Sequence, residues 1–257
     1  MLPTSGSYNR LDGPQPLFRI RFGKIAIAVV SLALGSFLFC VIWSLLFEFE
    51  SSTSTHCDVH NYLPSISSAI GSYEPQKTVW RLAITLQLPA RIVVSKMYMQ
   101  YYKDTIRRNR RVYAVIACLL NMSENLALLS LSLWTSMDNY RIHRNSFVVF
   151  IACSEVYMLI SYFLNKNGRK VPLLPMEEKS LMYKRNLFIT NVTAFILAGY
   201  CFLRHNSLCE AGVYTFFALF EYIVVLTNMA YHMTAYWDFH AMHVTFDWER
   251  GLYLSQF

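Results

Sequence analysis

One cation and three carboxylates lie deep inside apolar stretches of this sequence: Arg91, Glu124, Glu155 and Glu221. An ionisable side chain at membrane depth is costly, so it should face protein or water and meet a partner. The four residues fall near the middle of four different apolar stretches, which gives them similar depth. Because opposite charges cancel, we expect Arg91 to meet Glu124 or Glu221. The pattern predicts a polar site inside an apolar bundle.

Four polar residues of the last apolar stretch share one helical face. Tyr214, Glu221, Asn228 and His232 are separated by seven, seven and four positions, and this spacing places them along one stripe. The stripe carries a carboxylate and an imidazole, which are common general acids and bases. It therefore predicts a line of polar groups along one side of the last helix.

A second polar face lies in the third apolar stretch, where Asn121 and Asn125 are four positions apart and Glu124 borders them. The two faces predict a polar cavity lined by the second, third and sixth apolar stretches. Four residues are expected to cap this cavity: Arg204, His205, Asn206 and Glu210. The same side chains also suit interhelical packing, in which Asn, Glu and His lock membrane helices together. Spacing alone does not decide between a substrate cavity and packing.

The elements that hold these residues are apolar. Of the 257 residues, 54% are hydrophobic and 15% are charged, against roughly 45–50% and ~25% in an ordinary soluble domain. Six cysteines in so long a chain exclude a disulfide-rich secreted scaffold, and the apolar content excludes a disordered chain. The basic residues flank the apolar stretches, as topology determinants do, so nucleic acid is not an expected partner. The sequence predicts a polytopic membrane protein.

Six stretches approach the roughly 20 residues that a helix needs to cross a bilayer: 25–47, 79–102, 112–135, 145–165, 187–203 and 211–237. The stretch 79–102 is the weakest, because it contains three basic residues and a proline. If it crosses, most of the 23 lysines and arginines fall on one side, in segments 1–24, 103–111 and 166–186, as in cytoplasmic loops. We therefore predict an all-α, six-helix transmembrane bundle, a single domain over residues 1–257 with both termini cytoplasmic.

Two of the six cysteines, Cys57 and Cys209, fall in different loops on the side opposite the cytoplasm. In an oxidising compartment they are candidates for a disulfide, and two unpaired thiols are the alternative. The neighbouring run His56–His60 contains further metal-ligand side chains. Because only one short loop contributes them, no metal site is expected there.

Short runs across the chain are specific enough to compare with known families. They are His56-Cys57, Asn61–Ser65, Ser67–Gly71, Glu124–Leu129, Ile142-His143, Val149–Ile151 and, around the last apolar stretch, Arg204–Asn206, Cys209–Thr215, Glu221-Tyr222, Val224–Ala230, His232–Ala235 and Trp237–Phe239. These runs resemble the post-GPI-attachment-to-proteins factor two family, within the Frag/DRAM/Sfk superfamily of six-span proteins. The likeness covers nearly the whole chain.

The resemblance implies a multi-pass Golgi membrane protein, with the endoplasmic reticulum as a second location, that takes part in lipid remodelling of GPI anchors. In that pathway a saturated chain is restored at the sn-2 position of lyso-GPI. The implied partners are GPI-anchored proteins, lyso-GPI, the membrane and the enzyme that removes the sn-2 chain. No bound cofactor is expected, and an acyl donor such as acyl-CoA would be the co-substrate. Two alternatives stay open: a non-catalytic factor that presents lyso-GPI to a separate acyltransferase, and a small channel or transporter.

Reacylation needs a base that activates the lyso-lipid hydroxyl and donors that stabilise the tetrahedral oxyanion. The catalytic candidates are His205, Glu210, Glu221 and His232. The substrate-binding candidates are Arg91, Asn125, Arg204 and Asn228. We favour His205 with Glu210, because the anchor lies in the lumenal leaflet. His232 lies nearer the cytoplasmic side, where a cytosolic acyl donor would arrive, and a packing role remains an alternative for every one of these residues.

Overall fold

Long helices account for most of the chain that the computed structural model describes, residues 16–256. The basic residue Arg10, which the charge asymmetry included, lies outside these residues. In chain order the helices are α1 (Phe22–Phe47), α2 (Phe49–Thr53), α3 (Ile66–Gly71), α4 (Gln76–Thr105), α5 (Arg111–Leu133), α6 (Ser136–Asn167), α7 (Pro175–Leu208), α8 (Val213–Met233) and α9 (Ala235–Asp238). A short 3₁₀ helix, Arg108–Arg110, precedes α5.

Five of these helices, α1, α5, α6, α7 and α8, are long and apolar enough to cross a membrane. The prediction of a helical membrane bundle is therefore confirmed. The weak stretch 79–102 forms the 30-residue helix α4, which at 1.5 Å per residue is about 45 Å long. It packs against α1 and α5, but it is more polar than the other five. The count of six crossings and the cytoplasmic placement of the termini stay predictions.

Side-chain contacts show that α4 runs the length of the bundle. Trp80 Nε1 near one end of α4 donates to Ser132 Oγ at the end of α5 (3.0 Å). Near the other end of α4, Tyr102 Oη lies 3.4 Å from Ser161 Oγ in the last third of α6. Pro89 lies inside this helix without ending it. The observed helices thus extend the sequence-based stretches by several residues at most of their ends.

A three-stranded antiparallel sheet, absent from the all-α prediction, covers one end of the bundle. Its strands are β1 (Phe18–Arg21), β2 (Met242–Asp247) and β3 (Gly251–Gln256), in the order β1-β2-β3. The strands are only four to six residues long, too short for their alternation to stand out beside long apolar helices. Val244 of β2 belongs to the core cluster that includes Phe22 and Met97. We call this end of the molecule the sheet end.

The opposite end carries a disulfide between Cys57 and Cys209, whose Cα atoms are 5.3 Å apart. We call it the disulfide end. The Ser/Thr run at 51–55, expected to be a loop, is partly helical, because α2 occupies Phe49–Thr53. Hydroxyl donation along the chain satisfies the short helix: Thr53 Oγ1 donates to Phe49 O (2.7 Å). The disulfide thus joins the loop after α2 to the loop before α8.

Two buried ion pairs lock the sheet end together. Lys184 of α7 pairs with Asp238 of α9, which also accepts a hydrogen bond from Tyr98 of α4 (2.7 Å). In the second pair, Arg169 Nη2 lies 2.7 Å from Glu177 Oε2. All four charged side chains are at most 7% exposed. Because removing one member of a buried pair leaves an uncompensated charge, these contacts fix α4, α7 and α9 relative to one another.

Candidate intramembrane polar site

A buried carboxylate, Glu124 of α5, is the centre of a polar network inside the bundle. Its side chain is 0% exposed. Its Oε1 atom lies 2.8 Å from His232 Nε2 and accepts a hydrogen bond from Asn228 Nδ2 (3.0 Å). Arg91 of α4 brings Nη2 to 3.8 Å from the same oxygen. One carboxylate oxygen is therefore shared by groups of α4 and α8.

Helix α6 completes the network on its other side. Asn228 Nδ2 also donates to Ser154 Oγ (2.7 Å), and the ring of Tyr157 is stacked on His232, with centroids 5.7 Å apart and planes 11° apart. Ser154 and Tyr157 are three positions apart, so both reach one side of α6. Neither residue was a candidate from the sequence, because serine and tyrosine are common on the apolar faces of membrane helices. Only the packing of α6 against α8 shows their role.

Two acceptors of the network have no hydrogen-bond partner in the described part of the chain. These are Glu124 Oε2 and Asn125 Oδ1, and an unpaired buried polar atom is costly. A cavity of about 20 Å³ lies beside them, lined by Arg91, Asn125, His232 and apolar residues of α1 and α4. This space suffices for about one water molecule. The site therefore combines a charged network with unsatisfied acceptors and a small adjoining cavity.

The hydrogen bond between Glu124 and His232 is an arrangement suited to acid–base chemistry. Because Nε2 of His232 is bound to Glu124, Nδ1 is the ring nitrogen that remains for a substrate proton. A carboxylate in this position orients the imidazole and stabilises the imidazolium that forms when the ring accepts a proton. Arg91 and Asn125 supply N–H groups on the other side of the cavity, which are donors that an oxyanion needs.

The sequence-based stripe of the last helix divides between two places. Asn228 and His232 join Glu124, as does Arg91, whose partner is thus Glu124 and not Glu221. Glu221 lies further toward the disulfide end, where its Oε2 accepts a hydrogen bond from the backbone N–H of Ile66 (3.1 Å). The expectation of one continuous polar line on α8 was therefore wrong. Two turns of helix separate Glu221 from Asn228, and different neighbours face each level.

The expected pair of His205 with Glu210 is not formed. Glu210 is instead bound by Arg204, whose Nη2 donates to Glu210 Oε1 (2.8 Å), and both side chains are about two-fifths exposed (41% and 39%). This hydrogen bond lowers the pKa of the Glu210 carboxyl. His205 is fully buried, and its Nε2 lies 3.1 Å from Thr55 Oγ1. These residues thus form a surface ion pair and a buried histidine, and the predicted cap over the cavity is wrong.

The disulfide end also gathers more metal-ligand side chains than the sequence indicated. His205 approaches His56 and Cys57, so that one ligand atom from each of the three lies within 4.8 Å of the others. Cys57 is bonded to Cys209 and therefore offers no thiolate, while a zinc site uses three or four ligands. The fourth midplane group, Glu155 of α6, is partly buried, and its Oε2 has no partner among residues 16–256.

Helices of membrane length around a buried ionic network define a class: multi-pass membrane proteins with a polar site inside the bundle. The domain described as Frag1/DRAM/Sfk1/Cwh43P N-terminal domain matches residues 21–242. A relative from Drosophila pseudoobscura pseudoobscura, named Post-GPI attachment to proteins factor 2, is 66% identical over the full length of both chains. The chain therefore belongs to the post-GPI attachment to proteins factor 2 family within this Frag1/DRAM/Sfk1 group.

More distant relatives carry related names. A protein of Xenopus tropicalis named Acyltransferase PGAP2 is 42% identical over 88% of this chain and 91% of its own length. A Caenorhabditis elegans protein named Post-GPI attachment to proteins factor 2 is 38% identical over 90% of each chain. No solved structure matches the chain.

Proposed function

We propose that this protein remodels the lipid of GPI anchors by restoring a saturated acyl chain at the sn-2 position of lyso-GPI. The relatives' names support this proposal, since they place the family after GPI attachment and call one member an acyltransferase. The proposed site of action is the Golgi membrane, and the proposed partners are GPI-anchored proteins and the enzyme that removes the original sn-2 chain. A multi-pass bundle suits a substrate whose lipid part never leaves the bilayer.

The chemistry that the site supports is acyl transfer from a thioester to a hydroxyl. The sn-2 hydroxyl oxygen attacks the thioester carbonyl while Nδ1 of His232 accepts the hydroxyl proton. Glu124 stabilises the resulting imidazolium, and the N–H groups of Arg91 and Asn125 stabilise the oxyanion. When the C–S bond breaks, the imidazolium returns the proton to the departing thiolate. The products are the reacylated lipid and a free thiol.

The observation that carries this assignment is the Glu124–His232 pair beside unsatisfied acceptors. A network used only for packing would gain stability by pairing each of its buried oxygens. Here Glu124 Oε2 and Asn125 Oδ1 have no partner within residues 16–256, and the adjoining cavity reaches His232. A group that enters this cavity from the substrate would meet both the base and the donors.

The test is a transfer assay with the full-length protein purified into lipid nanodiscs. Lyso-GPI and labelled stearoyl-CoA are supplied, and the labelled product is measured. His232→Gln and Glu124→Gln are expected to lower the rate by roughly 10²- to 10⁴-fold. Two variants at the disulfide end, His205→Gln and Glu221→Gln, are the matched controls. Loss of transfer in these controls, with full transfer in His232→Gln, would move the site to the disulfide end.

A second candidate function is presentation of lyso-GPI to a separate acyltransferase. The size of the cavity favours it, because about 20 Å³ holds one water and no part of an acyl chain. On this reading the network only orders the helices that bind the lipid. Purified protein that binds lyso-GPI but transfers no label, while it stimulates a co-purifying enzyme, would establish presentation in place of catalysis.

A further inference from the structure

Two cation-rich segments of the chain meet at the sheet end. The loop after α4 and the loop after α6 are joined by an antiparallel bridge between Ile106 and Arg169, with a hydrogen bond from Arg107 N to Gly168 O (2.9 Å). The bridge brings together seven exposed cations, which we call the basic patch: Lys103, Arg107, Arg108, Arg110, Arg111, Lys166 and Lys170. Among residues 16–256 none of the seven forms an ion pair.

A mostly apolar cleft of about 380 Å³ opens beside the basic patch, between α5 and α6. Arg110 of the patch lines this cleft, and so do Asn167 and Gly168 at the end of α6. The apolar part of the lining consists of Tyr113, Leu159, Ile160, Phe163 and Leu164. Cleft and patch are therefore continuous, and their volume lies in the range of small-molecule sites.

We propose that the cleft and the basic patch bind the acyl donor as an acyl-CoA thioester, an inference that rests on the proposed transfer function. The single cleft takes one acyl chain against its apolar lining. The patch takes the phosphates, because arginine side chains bind phosphate oxygens in bidentate pairs. A chain with several phosphates at one end matches this division between an apolar cleft and a dense group of cations.

Charge and shape favour this occupant over an anionic phospholipid of the bilayer. Such a phospholipid carries two acyl chains, while the structure offers one cleft. Its headgroup carries one or a few negative charges, whereas seven cations converge here, and Asp104 is the only acidic residue in the segments 103–111 and 166–170. A polyphosphate neutralises a patch of this density better than a single phosphodiester does.

Direct binding of a thioether analogue of stearoyl-CoA tests the site without acyl transfer. The protein is held in phosphatidylcholine nanodiscs, and the dissociation constant is measured for two charge variants. Arg108→Gln/Arg110→Gln removes two cations of the patch, and Arg141→Gln/Arg144→Gln removes two exposed cations at the disulfide end. The control is closely matched, because Arg110 lies 5.9 Å from the ring of Tyr113 and Arg144 lies 6.0 Å from that of Tyr140.

We expect the patch variant to bind the analogue about fivefold more weakly at low salt, because each exposed pair contributes modestly. The control variant should bind as the unmodified protein does. A third variant, Leu159→Trp, fills the cleft and should weaken the analogue about fivefold without changing the affinity for free coenzyme A. Unchanged binding in both Arg108→Gln/Arg110→Gln and Leu159→Trp would overturn the proposal. Equal displacement of the analogue by phosphatidylinositol vesicles would assign the site to a phospholipid and overturn it as well.

Separate readouts distinguish this site from the transfer function. If the analogue binds with the expected pattern of variants but no acyl group reaches lyso-GPI, the proposed function fails and the binding site stands. If transfer is measured and Arg108→Gln/Arg110→Gln changes neither binding nor the concentration of acyl-CoA needed for half-maximal rate, the site fails and the function stands.

Discussion

A double-mutant cycle on Arg91 and Glu124 tests whether the buried network is held together by charge. The cycle compares Arg91→Met, Glu124→Gln and the double variant with the unmodified protein. Arg91 Nη2 lies 3.8 Å from Glu124 Oε1, and the two side chains are 12% and 0% exposed. Each single substitution leaves one polar group buried without its charged partner, whereas the double substitution removes both charges at once.

The distance sets the size of the expected effect. At 3.8 Å and an effective dielectric constant of about 20, the two charges attract by about 4 kcal/mol. Desolvation of both groups offsets much of this attraction, and measured polar couplings between membrane helices reach about 1.7 kcal/mol at most. We therefore expect a coupling energy of about 1–2 kcal/mol. Glu124→Gln alone should cost about 3 kcal/mol, because it also weakens the hydrogen bond to His232.

The assay is reversible unfolding of the purified protein in mixed micelles, with the free energy of unfolding extrapolated to zero denaturant. The control cycle uses Arg204→Met and Glu210→Gln, an exposed pair whose members should contribute nearly independently. Additive effects of Arg91→Met and Glu124→Gln, within about 0.5 kcal/mol, would refute the reasoning. Arg91 would then be stabilised by other groups, and the shared carboxylate oxygen would not be the centre of the network.

Three further predictions concern packing, pH and a buried charge. A Cβ added at Gly23 would lie 2.8 Å from the ring of Tyr236, so Gly23→Ala should cost about 1–3 kcal/mol in the same unfolding assay, and Tyr236→Leu should recover most of this loss. Since Arg204 lowers the pKa of Glu210 below its ordinary 4.5, the pair should stabilise the protein above pH 4.5, and this stabilisation should fade as acid protonates the carboxyl. Stability compared with Arg204→Gln across pH 3–7 would contradict this if the difference were constant. Lys184→Met leaves the partner carboxylate buried and unpaired and should cost about 3–5 kcal/mol, whereas exposed Lys170→Met should cost little.

The sequence was sufficient to place the long helices, because a stretch of some 20 apolar residues has one stable form in a bilayer. It also predicted that Arg91 would meet Glu124 or Glu221. Cost at membrane depth forces such groups to pair, which narrows the choice without structural information. The choice between the two carboxylates depended on which level of α4 faces which level of α8, and no spacing within one helix contains that information.

The missed features have a common cause, which is that they depend on contacts between distant segments. His205 and Glu210 are five positions apart, yet Arg204 satisfies Glu210 and the loop carrying Thr55 covers His205. The pair of Lys184 and Asp238 joins two segments 54 positions apart. The sheet was missed for the same reason, because strands of four to six residues become recognisable only beside their partners.

The pairing of β1 with β2 has a consequence for biosynthesis. Residues Phe18–Arg21 leave the ribosome long before Met242–Asp247 exist, so the first strand has no hydrogen-bond partner while all the helices between them are inserted. Contacts between such distant segments form late. The edge of the finished sheet therefore serves as a record of complete translation, and a chain truncated before β2 would expose an unpaired strand that quality control could recognise.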